Sequence, residues 1–172
     1  KVQDLSCFRW RCPVCGATSL VMDPCLYHDL SGQFMIWLRE DTPERADFDP
    51  LAGYTLRWVV DFNAFREKIN ILERGLDDRA VEIMKYLLLA QLPQDLDVVE
   101  LLFHDLDTRT AEFRFVAVLS DGVEQYISMP GAVYQKIAQD VQERLFTSTR
   151  DFVKIDLEWA RDALDLLHSA TE

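Results

Sequence analysis

Cys12-Pro13-Val14-Cys15-Gly16 is the segment whose residue types and spacing most directly imply chemistry. Two cysteines separated by two residues bring both sulfurs onto one tetrahedral metal ion at about 2.3 Å. Pro13 stiffens the turn between them, and Gly16 can take the positive φ through which a metal knuckle exits. Two thiolates are half of a structural zinc site, which takes four ligands. The same C-x-x-C could instead work as a redox dithiol, or be two idle thiols.

Cys7 and Cys25 are the remaining cysteines. If residues 7–22 fold as a hairpin about the knuckle, facing residues have numbers that sum to 27, which puts Cys7 opposite Leu20. Five extended residues separate Cys7 from Cys12 and ten separate Cys15 from Cys25, roughly 17 and 33 Å of chain. Neither thiol then reaches the metal, nor do they reach each other, and both read as small buried side chains. The last 147 residues (172 minus 25) contain no cysteine. That distribution does not suit a disulfide-stapled secreted domain. No basic n-region followed by an apolar h-region opens the chain, so a reducing, cytoplasmic setting is expected.

Tyr27-His28-Asp29 is a second candidate, because a histidine oriented by a carboxylate can act as a general base. In an extended segment, however, Tyr27 and Asp29 share one side and His28 takes the other. A half-buried tyrosine and a histidine bonded to backbone explain the triplet without catalysis. A third group, Glu67, Glu73, Asp77, Asp78 and Glu82, surrounds one helix junction and could hold a hard cation. Arg66, Lys68, Arg74 and Arg79 are interleaved with it, so capping and i,i+4 pairing account for the same pattern. His104 and His168 stand alone. No Ser-His-Asp order, P-loop, G-x-G-x-x-G or H-E-x-x-H motif is present.

The elements that position these residues alternate in type. Residues 7–11 and 17–22 read as short extended segments about the knuckle, and residues 33–38 and 54–60 as strands. Residues 40–53 are acidic, with two prolines and a glycine, and form an exposed loop; residues 41–49 are expected to be dispensable for folding. A helix starts near Asp61, with Phe62, Phe65, Ile69, Leu72 and Leu76 on one face and Glu67 on the opposite, solvent-facing side. Gly75 ends it, Asp77 or Asp78 caps the next helix, and Pro93 follows the end near Gln91. Val81, Met84, Leu87 and Leu88 point inward. Residues 97–103, 112–119 and 124–128 read as strands, the last two joined at Asp121-Gly122. Pro130 opens a third helix through Val133, Ile137, Val141 and Leu145. A short strand at 152–155 leads to a last helix through Trp159, Leu164 and Leu167. This order predicts an α+β fold with mostly antiparallel mixed sheets, an αα-hairpin and two further helices.

The chain has 172 residues, thirty acids against eighteen bases and a net charge of -12. Nucleic-acid binding draws its affinity from counterions released to Lys and Arg, so a DNA or RNA binder is disfavoured. No apolar run is longer than that at residues 86–90, far short of the roughly 18 to 20 that cross a bilayer. A membrane protein is disfavoured too.

Three segments together carry a family resemblance: CPVCG at 12–16, LYHDLSGQFMIWL at 26–38 and LRWVVDFNAFREKINILERGLDDRAVEIMKYLLL at 56–89. They resemble the CpXC domain, a bacterial and archaeal family named for paired C-P-x-C motifs. FVKIDLEWA at 152–160 is similar to the family's closing strand and tryptophan. The resemblance implies a four-cysteine zinc site, with Cys12 and Cys15 as the second pair and no first pair present. Because the chain opens on Lys1 rather than Met, that pair is expected upstream, and this segment alone is expected to hold zinc weakly. The resemblance implies an architecture and no reaction. Residues 1–24 are therefore expected to form a zinc-knuckle or ribbon segment, and 25–172 an α+β domain. The expected function is a binding or adaptor module for a protein partner, with structural zinc. The alternatives are an enzyme using His28 and the acidic junction, or a redox protein using Cys12 and Cys15.

Overall fold

The structure is a computed structural model that describes residues 9–11, 13–20, 25–40, 53–148 and 150–169. The fold is α+β. A two-stranded antiparallel hairpin comes first, β1 (Arg9–Arg11) with β2 (Thr18–Leu20). Arg9 faces Leu20, so facing residues sum to 29 rather than the expected 27. Proline's fixed φ suits the first central position of a turn. The bend accordingly begins at Pro13 and is centred one residue later than expected. Gly16 leaves the bend at φ 73°, as its position after Cys15 requires.

The second sheet has the order β3 (Cys25–His28), β4 (Phe34–Leu38), β5 (Thr55–Val59). β3 and β4 are antiparallel, and β4 and β5 are parallel. Val153 pairs with Arg57 in parallel and extends this sheet past β5, where the sequence predicts a short strand. Helix α1 (Phe62–Glu73) lies on the sheet, setting Phe65 and Ile69 against Phe34, Ile36, Leu38 and Val59. Asp61 begins α1 by accepting the Ala64 N–H at 2.8 Å. At its end Gly75 has φ 70° and the Leu76 N–H returns to the Ile71 carbonyl at 3.2 Å. Asp77 then caps α2 (Asp78–Gln91) through the Arg79 N–H.

The third sheet is an antiparallel meander of β6 (Val98–Asp107), β7 (Glu112–Leu119) and β8 (Glu124–Pro130). Its inner face, Leu101, Phe103, Phe113, Phe115, Ala117 and Met129, packs on Val81, Met84 and Leu88 of α2. Helices α3 (Gly131–Arg144) and α4 (Leu157–Ser169) pack on another side of α2 through Ile83, Val141, Ala160, Ala163 and Leu167. Helix α2 is therefore buried on more than one face. That corrects the single inward stripe expected for it, in which Ile83 had no place and Leu87, only half-buried here, was included. No helix among the described residues is long and apolar enough to cross a membrane. The acidic loop at 41–49 lies outside the described residues.

Candidate functional site

Six charged side chains are buried together where β5, α1 and α2 meet. Arg57 is 4% exposed, Lys68 3%, Asp78 1%, Glu67 7%, Glu82 3% and Lys85 5%. The Arg57 guanidinium donates through both edges to Asp78, Nε to Oδ2 at 2.6 Å and an Nη to Oδ1 at 2.9 Å. Lys68 Nζ lies 3.1 Å from Asp78 Oδ2 and donates to the Ile155 carbonyl at 3.1 Å. Lys85 Nζ reaches Glu67 at 3.0 Å and Glu82 at 3.1 Å. The other Glu67 oxygen accepts the Phe103 N–H at 2.5 Å.

Three cations face three carboxylates, so burial leaves little net charge uncompensated. Burial opposes ionisation of Asp78, but Lys68 and Arg57 outweigh it and hold its carboxyl well below the usual carboxylate range. Burial also opposes the charge on Lys85, and Glu67 and Glu82 override it, raising the ammonium's pKa. At Glu82 burial prevails and its pKa is raised. A cleft of about 400 Å³ opens over Glu67, Lys68, Glu82 and Lys85, with Trp58, Glu100 and Lys154 on its walls.

The acidic junction is thus assembled, but by different contacts from those the sequence suggests. Asp77 does cap α2 and pairs with Arg79 at 2.7 Å. Asp78 and Glu67 are held by cations from other elements, Glu67 also by backbone, whereas Glu82 pairs with Lys85 three residues on in the same helix, and Glu73 accepts from Tyr27. The expected solvent-facing position of Glu67 is wrong. Helix α1 is covered on two sides, by its sheet and by strand β6, and Glu67 serves the second. Sequence reasoning missed Arg57, Lys68 and Lys85 as members of the site. A signal existed: Lys68 follows Phe65 by three residues and Lys85 follows Val81 by four, so both lie on apolar stripes.

Tyr27, His28 and Asp29 take the faces that alternation predicts. Tyr27 is half-buried, His28 is exposed and Asp29 is buried. The Tyr27 hydroxyl donates to Glu73 Oε1 at 2.8 Å, and its pKa is pushed up to about 12 by burial and by Glu73. Burial opposes the Asp29 charge, but bonds from the Ser31 hydroxyl and from the Phe34, Gln33 and Ser31 N–H groups lower its pKa. Asp29 therefore shapes the β3–β4 turn, and the structure does not bring it to His28. His104 and His168 are both exposed.

The knuckle turn is exposed from Pro13 through Gly16, with Val14 at 93%. Cys15 is exposed and Cys25 half-buried. Cys7 and Cys12 lie outside the described residues. Among the described residues no three His, Cys, Asp or Glu side chains are grouped to hold a metal ion.

Residues 1–85 match the sequence model of the family described as CpXC protein. That span contains all six members of the ionic cluster and ends on Lys85; the similar stretch at 152–160 lies outside it. Neither curated proteins nor solved structures give a significant match.

Proposed function

Proceeding from a CpXC domain over residues 1–85, we propose that the chain is a binding or adaptor module for a protein partner. Its knuckle is ordered by structural zinc, to which Cys12 and Cys15 contribute two thiolates. The exposed apolar tip, Val14 at 93% on a tight Pro13–Gly16 turn, is the observation that carries this. A rigid projecting turn presents contact surface at low entropic cost, and the accessible Cys15 thiol suits a metal ligand. The junction carboxylates, by contrast, are engaged with cations and backbone donors, which gives an acid–base reading little support. The net charge of -12 favours a protein partner over nucleic acid. Thiolates that hold zinc also suit a reducing compartment such as the cytoplasm.

Photocrosslinking from position 14 in native extract, with position 109 as control, tests the partner. A discrete protein adduct from position 14 alone is expected, and it should be lost in Cys15→Ser. Equal labelling from both positions, or an adduct insensitive to Cys15→Ser, would refute the reading.

A further inference from the structure

A second cleft, of about 510 Å³, lies between α1 and the outer face of the third sheet. Its helix wall carries Asn63, Arg66, Asn70 and Arg74, and its sheet wall Leu102, His104 and Val116. Its volume falls in the range of small-ligand sites.

Charge in this cleft runs opposite to that of the whole chain. Arg66 and Arg74 both line it, and its one carboxylate, Glu67, is already matched by Lys85. Arg57, Arg79 and Arg114 each sit against a carboxylate. Arg66 does not: its Nε is buried with no hydrogen-bond partner among the described residues. A buried guanidinium N–H without an acceptor is costly, so it marks a place where an acceptor belongs.

Arg74 is held ready rather than consumed. Its Nε donates to Asn70 Oδ1 at 2.8 Å, while Asn70 Nδ2 donates to the His104 carbonyl at 3.0 Å. Asn70 is thus fixed between helix and strand and aims Arg74, whose terminal nitrogens have no partner among the described residues. Residues 66, 70 and 74 follow one i,i+4,i+8 ridge, so the two guanidiniums bracket roughly 12 Å of helix. The facing strand carries a β-bulge at His104, between the Phe103 and Asp105 pairings. Bulges re-aim side chains and often lie beside binding sites. His104 meets Tyr126 edge-on at 5.2 Å, and Leu102 and Val116 supply an apolar floor.

We propose that this cleft binds a small molecule bearing an oxyanion, phosphate or carboxylate, on a compact apolar body. Arg66 and Arg74 hold the anion, Asn70 is the positioning residue, and Leu102 and Val116 support the body. Guanidinium forks match both oxyanions bidentately. The site is independent of the knuckle and of the adaptor reading.

Calorimetry, together with NMR of the arginine Nε–Hε signals, tests it on the full chain. The probes are inorganic phosphate, adenosine monophosphate, citrate and, as the uncharged control, adenosine. At least one anionic probe should saturate the Arg66 signal, and the preferred probe separates a phosphate from a carboxylate ligand. Arg66→Gln and Arg74→Gln should each weaken binding about tenfold or more, and Arg66→Lys less. Asn70→Ala should weaken binding and perturb the Arg74 signal before that of Arg66. Arg109→Gln should change nothing. Shifts reproduced by sodium chloride at equal ionic strength, no saturation, or full affinity in a correctly folded Arg66→Gln protein would overturn the proposal.

Discussion

Asp78 is 1% exposed, and two cations keep it ionised. Its lowered pKa fixes the sign of its linkage to pH: its stabilisation is fully present above the unfolded value of about 3.9 and is lost as pH falls through the folded value. Asp78→Asn should cost about 3 to 5 kcal/mol at neutral pH, because Arg57 and Lys68 remain buried without their counter-charge. The variant should also lose less stability than the native chain below about pH 4, which urea melts at several pH values would show. Glu82 has the opposite sign. Its raised pKa means that ionisation disfavours the fold, by an amount that is relieved as pH drops through the folded value towards the unfolded one. Glu67 anchors both Lys85 and the Phe103 N–H, whereas the partner of Glu82 within the cluster is Lys85. Glu67→Gln should therefore destabilise more than Glu82→Gln; the reverse order in parallel melts would refute this account. Sequence periodicity could flag Lys68 and Lys85 as charges lying on apolar stripes, but it could not pair them. Their partners on other elements become visible only once the elements are packed.

The helical hairpin was the most legible element, because local signals specify it. Asp61, Gly75 and Asp77 act at the ends where residue type predicts them to act. Gly75 has φ 70° with open space about its Cβ position, so Gly75→Ala should cost about 1 kcal/mol from backbone strain alone. Gly131 is a different case. Its N–H donates to the Ala111 carbonyl at 2.7 Å, and an added Cβ would sit 2.5 Å from that same oxygen. Gly131→Ala should cost about 1 to 3 kcal/mol and separate the β6–β7 turn from α3. A melt in which the two alanine variants behave alike would show that the close approach at Ala111 relaxes freely. Less legible were strand β3 and the parallel pairing of β4 with β5. Both depend on partners distant in sequence, and residues 25–28 carry no alternation strong enough to announce a strand.

At the scale of the whole molecule, the span 1–85 is not a packing unit. It ends within α2, whose apolar sides are covered by the third sheet and by α3 and α4. The Ile155 carbonyl serves Lys68, and Val153 extends the β3–β4–β5 sheet. A fragment of residues 1–85 should therefore show no cooperative thermal transition, whereas residues 1–172 should show one; a sharp melt of the fragment by circular dichroism would contradict this. The α+β class was legible because long strongly patterned segments decide it. The closure of the C-terminal segment onto the first half was not, since no local signal encodes it. One further consequence lies on the free side of β6. Glu67 takes the Phe103 N–H there and Asn70 takes the His104 carbonyl, while bulges interrupt the strand at Val99 and His104. Ten residues of strand would otherwise offer a template for other chains. Helix α1 thus acts as a guard against intermolecular strand addition, and lesions at Glu67 or Asn70 should favour aggregates seeded along β6 before they favour an unfolded monomer.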